Sequence, residues 1–236
     1  MTEILILPDR EARPSIAPVH DNGVALIHGL GRSTGSMLLL GRRLARAGFL
    51  VWRIGYPSRR MNVADAAERI AAALAPLASR LGRLHLVGHS FGGVIARRIA
   101  SAGLIPVGRV VQIGAPNRGS RTAARLIRLL PLGWCLGPAA SELSEPRPPI
   151  PRRRGVAAIA GFGQRHLPGV LLGASGSGDG LVSVRSAWAG AEARGAVDCG
   201  HTLLPLSRRV AEMTAEFLAR GRLGPTSRGG ACPRPS

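Results

Sequence analysis

The stretch Leu84-His85-Leu86-Val87-Gly88-His89-Ser90-Phe91-Gly92-Gly93 constrains this chain more than any other. A short apolar run (Leu84, Leu86, Val87) leads into Gly-x-Ser-x-Gly, and a helix-compatible segment follows at once over residues 94–102. That order reads as strand, tight turn carrying a serine, helix. The flanking glycines have a steric role. Without a β-carbon at Gly88 and Gly92, strand and helix can approach closely and hold Ser90 in a strained backbone conformation. The hydroxyl then stands at the carboxyl end of a parallel strand, with a helix amino terminus directed at it. A second match to the bare pattern occurs at Gly31-Arg32-Ser33-Thr34-Gly35. Context separates the two: Ser90 follows its apolar run directly, as such a turn requires, whereas Ser33 lies beyond Ile27 and an intervening His28-Gly29.

The rest of the chain supplies the strands and helices to go with that turn. Residues 1–22 are a short apolar run and a polar, Pro-containing lead-in, expected to be peripheral. Residues 24–27 form a continuous apolar run of the kind a doubly buried parallel strand shows, ending at His28-Gly29-Leu30-Gly31. Helical spacing over 36–47 stops at Gly48, and 49–54 is the second strand, closed by Gly55-Tyr56-Pro57-Ser58. A helix over 63–80 starts at Asn62 as N-cap. After the elbow come a strand over 109–114, a helix over about 122–130, and a Pro-, Gly- and Arg-rich stretch over 131–154. A fifth strand over 155–160, a glycine loop at 176–180, a last strand within 191–197 and a final helix over 205–220 complete the pattern. Residues 170–172 are apolar but short, and 221–236 have the composition of a disordered tail.

Strands alternating with helices give an α/β fold: a doubly wound, mostly parallel sheet of about six strands, helices on both faces, and a small cap or none. One domain over 23–220 carries it, with 120–154 as an irregular, lid-like insertion.

Composition excludes several functions. The formal charge of +19 invites a nucleic-acid reading, but all 32 basic residues are arginine and most are scattered. Aromatics are only 3%, too few for a base-stacking platform, so no nucleic-acid partner is expected. Transient contact with an anionic membrane surface fits the charge better. Cys135, Cys199 and Cys232 are odd in number and widely spaced, which argues against a disulfide framework or a zinc site. An early acidic residue, a four-residue apolar run at the amino terminus and the lack of any long apolar stretch give no signal peptide and no spanning helix, so the expected location is the cytoplasm.

A serine hydroxyl is a poor nucleophile until a base takes its proton, and the base needs an acid to orient it. In such a fold the partners follow in the order serine, acid, histidine. Two histidines follow Ser90: His166, in an irregular loop, and His201, which follows the last strand and lies at the same sheet edge as Ser90. His201 is favoured. Between Ser90 and His201 lie Glu142, Glu145, Asp179, Glu192 and Asp198. The first two fall in the insertion, Glu192 belongs to the last strand, and Asp198, three residues from His201, reads as a turn or cap residue. Asp179, on the glycine loop between the fifth and last strands, has the right topology. An oxyanion site needs two backbone N–H donors. Phe91, after the serine, supplies one, and Leu30 the other, with Gly29 letting the loop turn that N–H inward.

The runs His28-Gly-Leu-Gly, Gly88-His-Ser-Phe-Gly-Gly, Ile113-Gly-Ala-Pro-Asn-Arg-Gly-Ser, Gly178-Asp-Gly-Leu-Val-Ser-Val and Gly200-His-Thr together resemble a small bacterial α/β-hydrolase of the triacylglycerol-lipase/esterase-like group. The likeness covers about residues 22 to 220. It implies Ser90, Asp179 and His201 as a catalytic triad and Leu30 and Phe91 as oxyanion donors; the sequence shows no acidic cluster for the structural calcium such lipases often carry, and no cofactor or metal is expected. The implied activity is hydrolysis of a small-molecule or lipid ester through an acyl-enzyme. Acyl transfer on the same triad, or a non-catalytic binding module on the same scaffold, are the alternatives. The apolar segment 121–136 reads equally as a lid or acyl-chain wall and as core packing.

Overall fold

The apolar runs become adjacent central strands, and their alternation decides which helix covers which face. A computed structural model describes residues 3–9, 22–129, 137–144, 153–162 and 178–224. In chain order the elements are β1 (Leu5–Pro8), β2 (Asn22–Ile27), α1 (Leu38–Arg46), β3 (Leu50–Gly55), α2 (Val63–Arg80), β4 (Arg83–His89) and α3 (Phe91–Ala102). There follow β5 (Val110–Ile113), α4 (Arg121–Leu129), α5 (Pro138–Ser144), β6 (Arg153–Phe162), α6 (Val184–Ala187), β7 (Ala191–Asp198) and α7 (Arg208–Arg220).

The strands form one sheet in the order β1-β3-β2-β4-β5-β6-β7. All neighbours are parallel except β1 and β3. The sheet therefore has seven strands where about six were expected. The additional one is β1, drawn from the lead-in, which pairs antiparallel at the edge through Leu5–Gly55 to Pro8–Trp52. An antiparallel edge strand needs no crossover helix, so its four residues give no helical pattern to read.

Along β2, Ala25 and Ile27 face the layer built by Ala66, Ile70 and Leu74 of α2 and Phe91, Ile95 and Ile99 of α3. Val24 and Leu26 face the layer built by Leu40 and Leu44 of α1 and Val210, Met213 and Phe217 of α7. Two helical layers around a doubly buried sheet are the doubly wound architecture.

Caps set the helix limits. The Asp65 N–H donates to Asn62 Oδ1 at 2.8 Å and starts α2 where the sequence put it. The final helix begins later than expected. Residues His201–Leu206 form a 3₁₀ turn, and α7 starts after Ser207, whose Oγ accepts from the Val210 N–H. Thr34–Met37 is likewise a 3₁₀ turn ahead of α1. The helix expected over about 122–130 is α4, and α5 occupies part of the stretch over 131–154 that had been read as lacking periodicity. His166, Glu145, Cys135, Cys232, the segment 170–172 and the tail from 225 lie outside the described residues.

No described helix is long and apolar enough to cross a membrane. Cys199, buried beside the His201 turn, is disulfide-bonded. The cysteine spacing had not suggested a disulfide.

Strand order reverses on either side of β2: β3 lies on one flank and β4 on the other. The crevice outside the carboxyl ends of β2 and β4 is the position where open α/β sheets bind ligands.

Candidate active site

Ser90 sits in that crevice, between β4 and α3. It is the one non-glycine residue with positive φ among the described residues, at φ 53° and ψ −118°. The turn is held by Ser90 N–H donating to Ile113 O (2.8 Å) and Gly93 N–H donating to Ser90 O (3.0 Å). Glycine is required on both sides. A β-carbon on Gly88 would come within 2.2 Å of the Gly92 carbonyl group, and one on Gly92 within 2.2 Å of Ile27 O. Gly88 thus lets the turn close on itself, and Gly92 lets it lie against the end of β2.

His201 and Asp179 meet Ser90 from two later loops. His201 Nε2 lies 3.0 Å from Ser90 Oγ, and its Nδ1 lies 2.8 Å from Asp179 Oδ2. The carboxylate can only accept, so Nδ1 carries the proton and Nε2 is left to accept from the serine hydroxyl. Asp179 is nearly inaccessible, and its Oδ1 accepts from the N–H groups of Leu181 (3.0 Å) and Val182 (2.7 Å). The His201 N–H donates to Asp179 O at 3.0 Å, so acid and base are joined through main chain as well.

The other carboxylates are engaged or remote. Glu142 Oε2 accepts from Val63 N–H, Glu192 Oε2 accepts from Gly155 N–H, and Asp198 is exposed at the end of β7 opposite Phe162. Asp198 is a strand residue, where a turn or cap was expected. Ser33, in the second Gly-x-Ser-x-Gly match, sits exposed ahead of a 3₁₀ turn and does not follow a strand directly.

The N–H groups of Leu30 and Phe91 have no acceptor among the described residues. Phe91 opens α3, where first-turn amides lack intrahelical partners. In the Leu30 loop the left-handed residue is Gly31 (φ +67°), whereas Gly29 had been expected to provide the turn; a β-carbon on Gly29 would come 3.3 Å from that of Ser90.

Sequence reasoning missed the residues that hold this loop. Tyr56 OH donates to His28 O at 2.7 Å, its ring stacks on His28 with centroids 4.4 Å apart, and Ser58 Oγ accepts from Gly31 N–H at 2.9 Å. Burial raises the Tyr56 hydroxyl well above its usual range, keeping it a donor. Burial also lowers His28, partly offset by its contact with Gly29 O. One signal was present: Tyr56 is the only tyrosine of the chain, and a buried tyrosine needs a partner for its hydroxyl.

His89 was also missed. It lies beneath His201 with ring centroids 4.9 Å apart, and its Nε2 donates to His201 O at 3.0 Å. Burial, with His201 nearby, pushes its pKa well below the ordinary value, so the imidazole is neutral. Its Nδ1 is buried with no hydrogen-bond partner among the described residues.

In the lid-like segment, α5 is packed: Ala139 and Leu143 are buried in the layer with α2 and α3, and Leu143 O accepts from Ser120 N–H. Of the segment 121–136 read as lid or core, residues 121–129 form α4 and residues 130–136 lie outside the described residues.

No protein-family model matches the chain, and no curated protein matches it significantly. Solved structures do. The mature form of the Bacillus licheniformis lipase BlEst2 superposes with TM-score 0.63 at 18% identity, over 84% of this chain and 91% of that one. YbtT, a type II thioesterase from the yersiniabactin biosynthetic pathway, gives 0.57 at 17% identity over 90% and 96%. A lipase-esterase related protein from Clostridium acetobutylicum gives 0.56 at 16% identity over 93% and 98%. With its seven-stranded, mostly parallel sheet and its serine turn after the central strand, the chain has the α/β-hydrolase fold.

Proposed function

We propose that this chain is a serine hydrolase that cleaves a carboxylic ester with an apolar acyl chain through an acyl-enzyme on Ser90. The observation that carries the reading is the hydrogen-bonded line from Ser90 Oγ through His201 to Asp179, with its 3.0 Å and 2.8 Å spacings. His201 Nε2 takes the hydroxyl proton as Oγ attacks the carbonyl carbon, and Asp179 holds the tautomer and stabilises the imidazolium. Charge developing on the carbonyl oxygen is received by the Leu30 and Phe91 N–H groups, a role supported by their having no acceptor among the described residues. The imidazolium then gives its proton to the leaving alcohol. Water attacks the acyl-enzyme with His201 again as base, releasing the acid and restoring Ser90.

Both a lipase and a thioesterase share this fold at similar TM-scores, so oxygen esters and thioesters both belong in the test. Hydrolysis of p-nitrophenyl esters and of N-acetylcysteamine thioesters of increasing acyl length is measured for wild type and for Ser90→Ala with folding checked. The expected result is activity that disappears in the variant and a rate profile that sizes the acyl pocket. Equal rates in both proteins, or no activity together with no labelling by a fluorophosphonate, would overturn the reading in favour of a binding module. Product balance in the presence of an added alcohol separates hydrolysis from acyl transfer.

A further inference from the structure

The run Gly114-Ala115-Pro116-Asn117-Arg118-Gly119-Ser120 after β5 takes no part in the chemistry above. It nonetheless bonds along its length to the segment that carries Asp179. Asn117 Nδ2 donates to Ala187 O (2.8 Å), the Arg118 N–H donates to Ser186 Oγ (3.0 Å), and Ser186 Oγ donates to Gly119 O (2.8 Å). Ser120 Oγ donates to Leu181 O (2.6 Å), two residues beyond Asp179.

Behind this contact a buried amide pair reaches back to the elbow. Gln112 Nε2 donates to Asn117 Oδ1 (2.8 Å), Asn117 Nδ2 donates to Gln112 Oε1 (3.1 Å), and Gln112 Nε2 also donates to Gly93 O in the first turn of α3 (2.9 Å). Arg97, two turns of α3 from the serine, donates from Nη1 to Ala189 O (3.0 Å) and from Nη2 to Gly190 O (3.2 Å). Each amide N–H of Gln112 and Asn117 has an acceptor, so neither amide can flip without setting donor against donor. Gln112 and Asn117 are 0% and 1% exposed, where a misdirected bond has no water to replace it.

We propose that Asn117, backed by Gln112 and Arg97, is a positioning residue for Asp179: the network transmits the position of the serine turn to the loop that carries the acid. The inference rests on the proposed roles of Ser90, Asp179 and His201. Its physical basis is that the turn bonds of Asp179 fix the carboxylate only relative to Leu181 and Val182. His201 joins that loop to Ser90 through its ring, and the network joins the same loop to the serine turn by a second route, through Ser120, Asn117 and Gln112.

The test is a cycle of Asn117→Ala and Asp179→Asn, singly and together, in the full chain. A shift of the carboxylate by about 1 Å would lower kcat about 10²-fold for Asn117→Ala, with KM unchanged. In the Asp179→Asn background the same substitution should add no further loss, because the displaced group is already absent. The downfield proton resonance of the His201–Asp179 hydrogen bond should disappear in Asn117→Ala. Equal fold-losses in both backgrounds, or a resonance retained in Asn117→Ala, would overturn the proposal and leave Asn117 a role in stability alone. If Asn117→Ala does not fold, Ser120→Ala, which removes the bond to Leu181 O and leaves the amide pair, carries the same test. The resonance is read without substrate. A wild type inactive on every ester whose resonance is lost on substitution would sink the proposed function and leave the positioning role standing.

Discussion

Replacing Ser90 by glycine should make the protein more stable than replacing it by alanine, the reverse of the usual order. Ser90 holds φ 53° and ψ −118°, a region that a side chain with a β-carbon enters at a cost. Such a residue stores about 1–3 kcal/mol, which glycine would release and alanine would keep. Glycine also loses more backbone entropy on folding, about 0.5–1 kcal/mol relative to alanine. The balance is about 1 kcal/mol in favour of Ser90→Gly, or roughly 2–4 °C in Tm for a domain of this size. Both variants lack the hydroxyl and its contact with His201 Nε2, so the comparison isolates the β-carbon. Urea unfolding at neutral pH with a common slope, supported by thermal melts, provides the measurement. Ser90→Gly less stable than Ser90→Ala by about 0.5–1 kcal/mol would show the ordinary glycine cost with no strain released, and the argument for a strained elbow would fail. Neither variant should hydrolyse esters.

Two further outcomes follow from the buried groups around the site. Tyr56→Phe removes the donor to His28 O; it should cost about 1–2 kcal/mol of stability and lower kcat about tenfold as the Leu30 loop loosens, and an unchanged kcat would mean that Ser58 alone holds the loop. Stability should also fall with acid. His85, whose Nδ1 accepts from Arg109 N–H, has its pKa lowered from 6.5 to about 4 by burial and by Arg109 and Arg83. Its folded pKa lies below the unfolded value, so its contribution is present above about pH 6.5 and is lost as pH falls toward 4, about 2 kcal/mol of it by pH 5. His28 and His89 are shifted the same way. Urea midpoints at pH 7 and pH 5, for wild type and for His85→Gln, measure the effect; a loss of equal size in the variant would remove His85 as its source.

The elbow was legible because its requirements are local. Gly88 and Gly92 flank a serine after an apolar run, and each glycine turns out to face backbone at a distance no β-carbon tolerates. The α2 cap at Asn62 was equally legible, since side chain and acceptor lie three residues apart. The start of the last helix was not. Periodicity over 205–220 reads straight through Pro205, while the chain makes a 3₁₀ turn that delivers His201 and lets Ser207 cap α7. Edge strand β1 was lost because four residues at an exposed edge carry no repeating signal.

The sequence by itself determined the order of the six parallel strands, the position of the serine turn, and the short candidate set for its partners, because these depend on neighbours along the chain. Tertiary structure alone decided that His201 comes within hydrogen-bond reach of Asp179 and, across 111 positions, of Ser90. It alone decided that Tyr56 and Ser58 hold the Leu30 loop, and that Asn117 reaches Ala187 across 70 positions. Those contacts exist because parallel pairing brings the carboxyl ends of strands to one edge, where loops distant in the chain meet. Which polar groups then satisfy one another follows from burial in that shared space, a property no linear pattern records.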